Sequence, residues 1–248
     1  MGMPVSPNYG TWRARFRADD GNETSATWTS GVLIPSSPVP DPHEQQADTV
    51  FRLRLQLVQT VTGATENLSR NYKVRYSLNA GSYTDVAAIN ATNAPIRYAA
   101  SAHVSDGNST TQQFTWSSGT YVSGRIDNNN NTGTITFSGS GEGHSEFEFI
   151  LELYSPQLDE GDILSFRIYT TDNVALDTYE VTPRVTPLLT PPDIDGSMAV
   201  VERNRSDIFA GIETSPEVFN QRADDVGEGM VELKWDTVGV PDHVGTQS

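Results

Sequence analysis

Glu146 and Glu148 stand two residues apart in SEFEFILELY (145–154). Side chains alternate between the faces of an extended chain, so both carboxylates project from one side. Two carboxyl groups about 5–10 Å apart are what glycoside hydrolysis needs. Its general acid must keep a proton near neutral pH, and a neighbouring cation pulls a carboxyl the other way. The chain offers such cations at the same period: Arg13, Arg15 and Arg17 in WRARFR (12–17), and Arg52 and Arg54 in FRLRLQLV (51–58). The glutamate pair is therefore expected to be solvent-exposed and arginine-bound, and no enzyme activity is assigned. His43, His103, His144 and His243 lie in separate loop-like segments, without the i, i+4 spacing of a helical metal pair or a nucleophile motif. With no Cys, thiol chemistry, disulfides and thiolate metal sites are excluded. In DNNNNTG (127–133), Asp127, Asn129 and Asn131 alternate as calcium ligands do, but the sixth-position Gly and the distal Glu are missing. An asparagine-rich hairpin tip is the preferred reading, with calcium left open. No catalytic residue, metal site or cofactor is assigned.

The arginine stripes are conspicuous because the 248-residue chain has only 16 Lys plus Arg against 32 Asp plus Glu, a formal net charge of -16. Three explanations fit. The stripes pair with the Glu146/Glu148/Glu152 strand across a sheet, where opposite charges contribute about 0.2–1 kcal/mol per pair. They meet an acidic neighbouring subunit, or they grip a polyanion. The first is preferred, since so acidic a surface repels nucleic acid and anionic membranes. No apolar run approaches the roughly 18 residues of a membrane span, and MGMPVSPNYG lacks the pattern of a secretory signal. A soluble protein is expected, and the Asn-x-Ser/Thr triplets read as composition.

The elements that must position these residues are strands. WRARFR, FRLRLQLV, NYKVRYSL, SEFEFILELY, DILSFRIYT and DTYEVTPRV follow a period of two, and ATWTSGVLI, TQQFTW, TYVSGRI and GTITFSG do so more weakly. LNAGSY reads as a hairpin loop, and DGN, DNNNNTG and GSGEG as turns. The expected fold is all-β: an antiparallel β-sandwich or jelly-roll-like domain over 9–187, after an N-terminal extension (1–8) and before an extended C-terminal arm (188–248). Its core is expected to hold Phe51, Leu53, Leu55, Tyr72, Val74, Tyr76, Phe147, Phe149, Leu151, Phe166 and Ile168, with Trp12, Ala14 and Phe16 on the inward face of the first strand. Segment 35–48 is expected to be an extended surface connection. The arm carries spaced apolar anchors, among them Phe209, Phe219 and Trp235, suited to docking. Interaction residues are assigned as Arg13, Arg15, Arg52, Arg54, Glu146, Glu148, Phe209, Phe219 and Trp235. Tyr83, Tyr98 and Tyr121 are the aromatics expected to be exposed.

WRARFRADDGNETSATW, TVFRLRLQLVQTVTG, YKVRYSLNAGSYTDV, VSDGNSTTQQFTWSSGTYVSG and EFEFILELYSPQLDEGDILSFRIYTTDNVALDTYEVTPRVT, in that order, resemble β-sandwich structural proteins of tailed bacteriophages and prophages. GSMAVVERNRSDIFAG is similar to a short element of phage structural proteins, with ERNR in place of small polar residues. The resemblance implies a non-enzymatic virion component assembled in the bacterial host cytoplasm: an accessory head-surface (decoration or fibre) protein, or alternatively a tail-associated or receptor- or glycan-binding module. It implies other virion proteins as partners, a homo-oligomer, and on the second reading a host surface glycan or receptor, with neither nucleic acid nor membrane. No catalytic residues come with it.

Overall fold

The computed structural model describes residues 8–35, 41–60, 68–116, 118–138 and 141–189. The chain divides into two units, 1–190 and 191–248; the second, with Phe209, Phe219, Trp235 and most of the expected arm, lies outside the described residues.

The described residues of the first unit form thirteen strands: β1 (Asn8–Ala18), β2 (His43–Gln46), β3 (Val50–Thr60), β4 (Leu68–Leu78), β5 (Thr84–Asp85), β6 (Ile96–Tyr98), β7 (Thr120–Tyr121), β8 (Ile126–Asp127), β9 (Thr134–Phe137), β10 (Gly143–Leu153), β11 (Leu164–Thr170), β12 (Thr178–Tyr179) and β13 (Arg184–Leu188). Among the described residues the only helical turn is a 3₁₀ turn at Ser155–Gln157. No described helix is long and apolar enough to cross a membrane.

The strands form two sheets. One runs β12-β1-β3-β10-β6, with β7 and β8 also pairing to β10; the other runs β2-β13-β11-β4-β5, with β9 on β4. The long central pairs are antiparallel, as alternation predicts. The sheets are nonetheless mixed: β1/β12, β10/β7, β10/β8 and β13/β2 are parallel, which corrects the purely antiparallel expectation. In each case a short segment lies along a strand already paired on its other side. Gly124 permits one such approach, since a Cβ there would collide with the Glu146 carbonyl.

The strongest alternations became the longest strands, and the weak ones fragmented. ATWTSGVLI makes only isolated bridges to β1, at Trp28 and Leu33. TQQFTW forms no strand, and TYVSGRI becomes the two-residue β7 and β8. DTYEVTPRV splits into β12 and β13 around Pro183, whose nitrogen has no proton for a ladder. LNAGSY is the hairpin loop between β4 and β5, with Asn79 and Ala80 at φ +49° and +60°. Within 35–48, residues 43–46 are not loop but strand β2.

One apolar core lies between the sheets. Leu53, Leu55, Phe147, Phe149 and Leu151 of the first meet Tyr72, Val74, Phe166 and Ile168 of the second, with Phe16 edge-on to Phe166 and Tyr72 tilted against Phe147. All the expected core residues are buried except Tyr76, which packs partly buried at the margin. Trp12 is the other departure. A register shift between Thr11 and Arg13 takes it out of the alternation, and it packs edge-on against Trp116.

Leu53 and Phe149 face each other across β3 and β10 at zero exposure. Leu53→Ala and Phe149→Ala are each expected to lower unfolding free energy by about 2–5 kcal/mol, read from denaturant midpoints.

Candidate functional site

The other face of the β1-β3-β10 sheet carries the stripes, and it is not wet. Arg17, Arg52, Arg54, Glu146 and Glu148 all have zero exposure, so β3 is buried on both faces. The expected pairing is present, and the expected exposure is corrected. Register brings like charges together first: Arg15 lies opposite Arg54 and Arg17 opposite Arg52. Such neighbours repel. Relief comes from β10, where Glu148 lies opposite Arg54 and its two oxygens reach Arg52 (2.7 Å), Arg54 (2.7 Å) and Arg17 (3.1 Å). Glu146 takes the Arg54 Nε at 2.7 Å.

Two loops roof this face. The turn after β1 adds Asp19, 2.9 Å from Arg52 Nε, and Glu23, 2.7 Å from Arg54 Nη1. Arg17 donates to the carbonyls of Glu23 and Ala26, both at 2.7 Å, and its guanidinium lies over the Trp28 ring at 4.3 Å. Arg52 donates to the Gly21 carbonyl and Arg54 to that of Thr111. From the second loop, the backbone N–H groups of Gln113 (3.0 Å) and Phe114 (2.8 Å) donate to Glu146. The roofs also hold each other: Thr111 N–H donates to Glu23 at 3.0 Å, and the Gln113 side chain to the Glu23 carbonyl at 2.7 Å. A second apolar cluster of Ala99, Val104, Ile126 and Ile150 seals the neighbouring part of this face.

Burial draws the Arg54 guanidinium down, but Glu146, Glu148 and Glu23 outweigh it and the net shift is upward. Burial pushes the Glu146 carboxyl up, against Arg54 and the Phe114 and Gln113 donors. Every group facing Glu146 is an N–H donor, so only the ionised carboxylate satisfies them all, and the pair is a salt bridge at neutral pH. Burial also raises Glu23, yet the Thr111 N–H and Arg54 hold it below the usual carboxylate range. The two carboxylates that could have formed an acid/base pair are thus sealed from solvent and fully engaged.

Of the remaining predicted residues, Arg15 is half-buried, donating to the Ser30 carbonyl at 2.7 Å and stacking on Trp28; Arg13 lies over Trp116. Sequence reasoning passed over Asp19, Glu23, Trp28 and the Gln113–Phe114 amides. The acidic run DDGNE after the first stripe was the available signal for the first two; the amides left none. Among the aromatics expected to be exposed, Tyr98 is fully buried, Tyr121 is half-buried beside His144, and Tyr83 is half-buried at a groove on the second sheet.

In the asparagine-rich loop, Asp127 Oδ1 accepts the N–H groups of Asn129 and Asn131, both at 3.1 Å, and Oδ2 accepts the Tyr98 hydroxyl at 3.0 Å. The carboxylate closes a turn. Among the described residues no group of three or more His, Cys, Asp or Glu is placed to hold a metal ion.

The described chain is thus an all-β protein of two mixed sheets with an ion network under loops on one outer face. No protein-family model matches it, and no curated protein is similar to it.

Arg54→Met leaves Glu146 and Glu148 short of their shared cation, and is expected to cost about 3–5 kcal/mol in chemical denaturation. Burial raises Asp127 from 3.8 to about 6. Its neutral form is therefore favoured by folding, and its contribution to stability is present below about 4 and lost as pH rises through about 6. The stability of Asp127→Asn relative to the parent should rise over that interval and level off above it. The gain should reach about 2–3 kcal/mol, read from paired denaturation curves at several pH values.

Proposed function

We propose that the two-sheet body is a jelly-roll-like β-sandwich and that the protein is a non-enzymatic structural component of a tailed-phage virion. On this reading it is an accessory head-surface protein that assembles through the sandwich and the C-terminal arm. The observation that carries the reading is the convergence of the segments behind the phage resemblance. WRARFRADDGNETSATW supplies Arg17, Asp19, Glu23 and Trp28; FRLRLQLV supplies Arg52 and Arg54; TTQQFTW supplies the amides on Glu146; EFEFILEL supplies Glu146 and Glu148. Pieces scattered over more than a hundred residues meet in one buried network, so the resemblance follows residues that determine a fold.

Charge placement supports the same reading. Arg17, Arg52, Arg54 and Lys73 are buried, as are Glu146, Glu148 and Asp127, so the rest of the chain keeps its strong negative charge. That disfavours a polyanion grip and suits a protein held at high local concentration on a particle. The second reading, a receptor- or glycan-binding module of the adsorption apparatus, is favoured by one feature, the groove beside Tyr83.

Quantitative mass spectrometry of purified particles from the phage or prophage carrying this chain is the direct test. Many copies per particle are expected for head decoration and few for a tail part. Absence of the protein from intact particles would refute both.

A further inference from the structure

The groove lies on the outer face of the second sheet and encloses about 460 Å³, within the ~300–1,000 Å³ of small-molecule clefts. Arg167 and Arg184 line it, and among the described residues neither has a carboxylate within ion-pair distance, whereas Lys73 and Arg75 on the same sheet both bind Asp85. Arg167 is held in place: its guanidinium lies 4.8 Å from the Tyr83 ring and 4.5 Å from the Tyr179 ring. Tyr179 is itself anchored, donating to the Ile168 carbonyl at 2.6 Å and accepting from Leu176 N–H at 3.0 Å. The Arg167 Nε also donates to the Thr182 hydroxyl at 3.4 Å. Arg184 lies on β13 opposite Ser165 of β11, on the groove side of the sheet.

The rest of the lining mixes hydroxyls with apolar side chains, among them Leu33, Ile34 and Val181. Ser77 and Ser165 face each other across β4 and β11, and Thr182 lies beside Arg167. Glu180 stands exposed at the rim, opposing a polyanion while tolerating a ligand with isolated negative groups. Fixed arginines, hydroxyls and tyrosine edges in a cleft of this size match a sugar bearing a carboxylate.

We propose that this groove binds an acidic saccharide, its carboxylate on Arg167 and Arg184 and its hydroxyls on Ser165 and Thr182. The inference stands on the groove and not on the virion reading, so either can fail without the other. Calorimetric titration of the full chain with digalacturonic acid, its methyl ester and hexaglutamate tests it. Digalacturonate should bind, more weakly as salt rises, and the uncharged ester should bind roughly tenfold less tightly or worse. Arg184→Met and Tyr83→Ala should each lower the affinity with the melting temperature unchanged; Arg184→Met serves if Arg167 variants fail to fold. No binding of digalacturonate at millimolar concentration, or equal affinity for its ester, would overturn the proposal. Equal or tighter binding of hexaglutamate would also overturn it, by reassigning the groove to acidic peptides.

Discussion

Three arginine side chains at zero exposure, two of them on adjacent positions of one strand face, form an arrangement that is unstable alone. Removing a guanidinium from water costs several kcal/mol, and like charges opposite each other across a ladder add to it. The arrangement persists only because Glu148 contacts all three cations, while Glu146, Asp19 and Glu23 complete the charge. Much of the irregular chain follows from that demand. The turn after β1 folds back to bring its carboxylates and carbonyls over the arginines, and the segment before Trp116 brings backbone amides to Glu146. Both loops are thereby tied to the strands beneath them.

Such a network contributes more to specificity than to net stability. Apolar residues of similar volume would avoid the desolvation cost, but would not specify which loop covers which strand. Here each carboxylate has a partner at a defined register, so sliding β10 by one residue against β3 would break the charge pairing and reverse the apolar face together. The central strands β3 and β10 are therefore buried on both sides, by an apolar core within and a polar one without.

The same arrangement bears on function. Three of the stripe cations, Arg17, Arg52 and Arg54, are internal, and the carboxylate pair that looked available for acid/base chemistry is ion-paired beneath two loops. What the described surface offers instead is an acidic exterior and a groove on the opposite sheet lined by Arg167 and Arg184. A structural role with a recognition site on its outer face is compatible with both.

The sequence by itself determined the all-β class, the long strands and the inward residues, because period-two alternation is a local property that each strand carries alone. Leu53, Phe149 and Ile168 were legible for that reason. It also favoured, without deciding it, the pairing of arginine and glutamate stripes of matching period. The burial of that face was decided only by tertiary structure. Alternation separates polar from apolar, but whether the polar face meets water depends on the roof, and the roof is loop. Asp19 and Glu23 are ordinary turn residues until β1 places them above Arg52 and Arg54. The Gln113 and Phe114 amides are backbone groups that every residue but proline possesses. The groove was illegible for the same reason: Arg167, Arg184, Tyr83 and Tyr179 are far apart along the chain and adjacent only once the strands have paired. Short-range pattern sets what each segment can be. Which segments cover one another is a property of the packed whole.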